Sequence, residues 1–76
     1  MIIQPLTIHG EPRGPAISVK ASLTLIPDGI RLSVPYGGPW PTLDSNGWVL
    51  VRGVVYFHRM TEGHKRRLWV YLECVQ

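Results

Sequence analysis

Between Ile17 and Leu25 apolar and polar residues alternate with hardly a break. Ile17, Val19, Ala21, Leu23 and Leu25 fall on one side; Ser18, Lys20, Ser22 and Thr24 fall on the other. Successive side chains of a strand point to opposite faces, so this period of two describes a strand with one buried and one wet face. Nowhere does a dozen-residue stretch carry the three-and-four apolar spacing of an amphipathic helix. The pattern restricts the chain to an all-β fold.

The turn residues divide the rest. Pro27-Asp28-Gly29 stops the first strand, and Asp-Gly predicts a two-residue hairpin turn in which glycine takes positive φ. A turn centred there pairs Leu25 with Leu32 and Leu23 with Val34, so Ile30, Leu32 and Val34 face inward while Arg31 and Ser33 face out. Trp48–Arg59 and Arg66–Val75 are rich in β-branched and aromatic residues and read as two long strands joined around Glu62-Gly63. That centre pairs Phe57 with Leu68, Val55 with Val70 and Arg52 with Glu73. A strand over about Ile2–Ile8 contains Pro5, which lacks a donor and suggests an edge. Gly10–Pro15 is a polar connection, and Pro35–Gly47 is one long irregular segment. Five short strands in this length predict a small antiparallel barrel, SH3-like or OB-like, with a long Pro/Gly-rich loop, as a single domain over residues 1–76. Closure is expected because it removes the sheet edges that so small a protein must otherwise protect.

Composition narrows the class further. In 76 residues there is one cysteine, Cys74, so no internal disulfide forms; it is expected as a small buried apolar group. Glycine and proline number 8 and 7, enough for many turns and short of low-complexity disorder. No apolar run reaches the roughly 18 residues of a membrane span, and the start lacks the pattern of a signal peptide, so a cytoplasmic protein is expected. The net charge of +3 permits nucleic-acid binding without requiring it.

The second long hairpin carries the functional signal. With Val51, Val55, Phe57, Leu68, Val70 and Leu72 assigned to the core, the opposite face carries Trp48, Leu50, Arg52, Val54, Tyr56, His58, Arg67, Trp69 and Tyr71. Aromatic rings on a sheet stack with unpaired bases while neighbouring cations meet phosphates. Tyr56, Trp69 and Tyr71 are the expected platform, with Arg59, Lys65, Arg66 and Arg67 supplying charge at the hairpin tip and Arg52 and His58 beside them. The expected function is therefore non-enzymatic binding of nucleic acid, single strands included. The alternative is a protein-interaction module using the same face, either a homo-oligomer or a small regulatory or inhibitory protein of phage or plasmid type. Burial of that face within the fold would also account for it.

Tyr36 and Trp40, held between prolines and glycines, are a second candidate. They either form a recognition loop or fold back to plug the barrel. Metal binding is not expected, since His9, His58, His64 and Cys74 have no ligand-like spacing. Catalysis is not expected either. Glu11, Asp28, Asp44, Glu62 and Glu73 lie in turns, loops or a cross-strand pair, and Asp44-Ser45 forms no nucleophile arrangement with the histidines. Gly37-Gly38 is followed by proline and not by a helix, so no phosphate loop or cofactor is expected.

Overall fold

The computed structural model describes residues 1–36 and 47–75. It is all-β. The strands are β1 (Ile2–Leu6), β2 (Ile17–Ser18), β3 (Ser22–Ile26), β4 (Gly29–Pro35), β5 (Trp48–Val51), β6 (Val54–His64) and β7 (Arg67–Cys74). They form one antiparallel sheet of seven strands in the order β2-β1-β5-β6-β7-β4-β3. Among the described residues no helix is long and apolar enough to cross a membrane.

Two of the expected strands split, which raises the count from five to seven. Ile17–Leu25 breaks at Val19–Ala21, and its halves pair at opposite ends of the sheet, β2 with β1 and β3 with β4. Three residues between Ser18 and Ser22 can span at most about 14 Å. The two ends of a seven-strand ladder must therefore approach each other, so the sheet rolls. Ile3 of β1 and Ile30 and Leu32 of β4 meet in one core with Val19, Val34, Val49, Val51, Tyr56, Val70 and Leu72. The ladder does not close, because β2 and β3 share no pairing.

The other split is at Arg52-Gly53. Both residues have positive φ, 51° and 80°, and Val51 pairs directly with Val54. This is the primed two-residue turn whose twist matches that of the flanking strands. Trp48–Arg59 is thus a hairpin, not one strand. In a continuous strand Val51 and Val55 share a face; across a two-residue turn Val51 shares its face with Val54, Tyr56 and His58 instead. The first half of β6, Val54–His58, is inverted relative to expectation. Tyr56 and His58 are buried, at 9% and 2% exposure, while Val55 and Phe57 turn outward.

The two remaining hairpins also turn elsewhere than Asp-Gly and Glu-Gly suggest. β3 and β4 join through Pro27-Asp28, with Leu25 opposite Ile30 and Leu23 opposite Leu32. The slip is two residues, so each side chain keeps its face. Gly29 lies inside β4, where a Cβ would strike the Leu72 carbonyl oxygen and crowd Cys74 N. Close approach to β7, not positive φ, explains this glycine. β6 and β7 join through Lys65-Arg66, with His64 opposite Arg67. Lys65 takes φ of 57°, and a bulge at Arg59 shifts the register between His58 and Met60. Arg52 and Glu73 are not partners.

β1 is an inner strand, flanked by β2 and β5. Pro5 is tolerated because its carbonyl accepts from Arg13 N at 2.9 Å, so its donor side faces away from β5. Cys74 is exposed rather than buried.

Candidate nucleic-acid interface

The outer face of β6, β7 and β4 holds the expected cluster in altered form. β7 lies between β6 and β4, so Trp69 and Tyr71 have neighbours on both sides. From β6, the His64 ring stacks on Trp69, centroids 4.2 Å apart and planes inclined by 26°. From β4, the Arg31 guanidinium carbon lies 4.2 Å from the Trp69 ring centre. A cation over an indole face is worth about 0.5–1 kcal/mol where partly solvated. Tyr71 donates its hydroxyl to Glu62 Oε2 at 3.3 Å. Arg67 Nε donates to Ser33 Oγ, and Nη2 donates to the Ser33 carbonyl at 2.9 Å. The result is a half-buried Trp69 flanked by two side chains and ringed by charge.

The tip completes the arrangement. Lys65, Arg66 and Arg67 are exposed, and Pro35 of β4 pairs with Arg67. Tyr36 follows directly, and its N–H donates to the Arg66 carbonyl at 3.0 Å. Tyr36 is 71% exposed. Arg31, Lys65, Arg66 and Arg67 are four of the eight Lys and Arg residues, and β4, β6 and β7 carry two acids, Glu62 opposite Trp69 and Glu73 farther along β7. Adjacent to this end, Lys20 and Arg67 line an open groove of about 670 Å³ with Ser18, Ser22 and Pro35, at the seam where the sheet fails to close.

The expected site residues thus separate into groups. Tyr36, Lys65, Arg66, Arg67, Trp69 and Tyr71 come together. Tyr56 and His58 do not: they face the core, where His58 Nε2 lies 2.7 Å from Thr61 Oγ1. Arg52 is exposed in the β5–β6 turn, at the far end of β6. Ten strand steps at roughly 3.3 Å put that turn about 30 Å from the tip, in a molecule 35 Å long. Arg59 is exposed at the bulge, beside Met60, Tyr71 and Glu73. Trp40 lies outside the described residues.

Sequence reasoning missed Arg31, Ser33 and Glu62, and it did not set His64 against Trp69. Arg31 and Ser33 looked like an ordinary wet face of the first hairpin. Only the pairing of β4 with β7 sets them against Trp69 and Tyr71, with Arg31 opposite Tyr71 and Ser33 opposite Trp69. No local signal in the chain announces that pairing.

A second feature shares the outer face. Trp48 and Phe57 pair across β5 and β6 with rings edge-to-face at 5.6 Å, next to the Leu50–Val55 pair. Among the described residues no three His, Cys, Asp or Glu side chains gather where they could hold a metal ion. Comparison with known proteins finds no match among family models, curated proteins or solved structures.

Proposed function

We propose that this protein is a non-enzymatic binding module that takes single-stranded nucleic acid on the end of the sheet formed by Tyr36, β4 and the β6–β7 turn. The observation that carries this reading is the bond from Tyr36 N–H to the Arg66 carbonyl, which ties an exposed tyrosine to the turn that holds three consecutive cations. A base stacked on such a ring contributes about 1–3 kcal/mol, and the cations release counterions from the backbone they neutralise. Trp69 acts here as a braced floor, since His64 and Arg31 already flank it. The rolled antiparallel sheet offers the kind of open platform that SH3-like and OB-like barrels use, and that likeness is part of the proposal, resting on architecture alone. Fluorescence anisotropy of a short labelled oligothymidylate, titrated across a salt series, tests it. Binding that weakens steeply with salt is expected; absence of binding at low salt ends the reading.

The Trp48–Phe57 pair with Leu50 and Val55 supports a second reading, a protein partner on the opposite end of the same face. Apolar side chains clustered on a sheet's solvent side commonly mark such an interface.

A further inference from the structure

Val19–Ala21 crosses from one end of the ladder to the other without any pairing between β2 and β3. Val19 N donates to the Met1 carbonyl at 2.9 Å, and the Met1 amine donates to the Val19 carbonyl at 3.0 Å. Met1 and Val19 are thus a hydrogen-bonded pair, and the next pair, Ile2 with Ser18, is a non-hydrogen-bonded one. Ser18 therefore turns its N–H and C=O away from β1, on the side where no described strand pairs with β2. The seam left open there is the groove of about 670 Å³, within the roughly 300–1,000 Å³ of ligand sites.

The chemistry of this groove is one-sided. Lys20 and Arg67 supply its charge, Ser18 and Ser22 line it as well, and no acidic residue does. All four are exposed. Arg67 is braced: Ser33 accepts from Nε through Oγ and from Nη2 through its carbonyl, which fixes the guanidinium plane and leaves the rest of the N–H fork to a ligand. A fork held in this way loses little freedom on meeting an oxyanion, and its shape matches phosphate. Position ties the groove to the basic tip. Pro35 lines the groove and pairs with Arg67, and the next residue is the exposed Tyr36, bonded to the Arg66 carbonyl.

We propose that the groove is the phosphate track of the same single strand whose base stacks on Tyr36. The nucleotides on one side of that base lie along the seam, with their phosphates on Arg67 and Lys20 and the hydroxyls of Ser18 and Ser22 donating to the phosphate oxygens. The assignment rests on the single-strand reading and adds a direction to it. On the tyrosine side a base is stacked; on the groove side only the backbone is held, because phosphate contacts position a strand without reading its bases. An anionic chain is favoured over a peptide by the two cations, the polar lining and the lack of any acid in it.

Anisotropy of labelled tetrathymidylate over a salt series, with Lys20→Gln and Lys20→Arg beside wild type, tests the track. Lys20→Gln is expected to weaken binding several-fold at low salt and to reduce the slope of log K against log salt by about 0.7, one single-strand phosphate contact, while Lys20→Arg keeps both. Far-UV circular dichroism stays unchanged, since Lys20 is exposed and outside the strands. Removing the terminal bases as abasic sites is tolerated at one end of the oligomer and not at the other. Neutral methylphosphonate linkages at the tolerant end make wild type and Lys20→Gln bind alike. If Tyr36→Ala weakens binding and Lys20→Gln does not, the track is overturned and the Tyr36 site stands. The track also falls if the Lys20→Gln effect persists on the methylphosphonate oligomer, if Arg52→Ala has an equal effect, or if abasic sites act alike at both ends. Absence of wild-type binding at low salt removes the track together with the single-strand reading.

Discussion

Tyr36 and Arg66 are joined by a backbone hydrogen bond of 3.0 Å between residues thirty positions apart, Tyr36 N–H to Arg66 C=O. That bond ends the β4–β7 ladder and ties the exposed Tyr36 to the basic turn. Tyr36→Ala is therefore expected to lower oligonucleotide affinity by about 1–3 kcal/mol, the value of one stacked base, while leaving the thermal midpoint almost unchanged. Anisotropy and differential scanning calorimetry on the same samples separate the two. Undiminished affinity removes Tyr36 from the site.

Charge at the tip predicts a different signature. Arg66→Ala is expected to weaken binding of all sequences alike and to reduce the slope of log K against log salt by about 0.7, one single-strand phosphate contact. Arg52→Ala, at the far end of β6, leaves slope and affinity as they are. Equal effects from both positions would mean that net charge alone drives binding and that the tip is no site.

Tyr56 separates folding from binding. Its ring is in the core, so Tyr56→Ala costs about 3–5 kcal/mol in urea unfolding. For a domain of this size that approaches the whole stability, which is roughly 0.05–0.15 kcal/mol per residue. Tyr56→Phe keeps the packing and is expected to bind oligonucleotide as wild type does. A selective loss of affinity in Tyr56→Phe would place the tyrosine in the interface after all.

Gly29 is held by contact and not by its own φ. Gly29→Ala forces a methyl group against the Leu72 carbonyl and the Cys74 backbone, neither of which is a movable side-chain end. Overpacking of this kind costs about 1–3 kcal/mol and should appear as a lower urea midpoint. An unchanged midpoint would show that β4 and β7 separate easily at this end.

Arg52 and Lys65 hold left-handed backbone that favours glycine or asparagine, at φ of 51° and 57°. Arg52→Asn and Lys65→Gly are each expected to raise stability by up to about 1 kcal/mol through relief of that conformation. Lys65→Gly should also cost affinity if the tip meets phosphates, whereas Arg52→Asn should not. Destabilisation by both changes would mean that their side chains contribute more than the turns suggest.

By itself the sequence determined the class of structure and the raw materials of the site. The alternation through Ile17–Leu25 and the β-rich run from Trp48 onward are local signals, and a period of two means a strand whatever surrounds it. The cations at Lys65, Arg66 and Arg67 and the rings at Tyr36, Trp69 and Tyr71 were legible for the same reason. Tertiary structure decided which face each ring occupies and which neighbours it has. A turn at Arg52-Gly53, inside a run that reads as continuous strand, inverts β6 as far as the bulge and sends Tyr56 and His58 into the core, because a single change of turn position exchanges the two faces of a strand. The pairing of β4 with β7 then brings Arg31 to Trp69 and Tyr36 to Arg66 across more than twenty-five residues of chain. Such contacts follow from rolling one sheet until its ends approach, a property of the whole ladder that no single segment encodes.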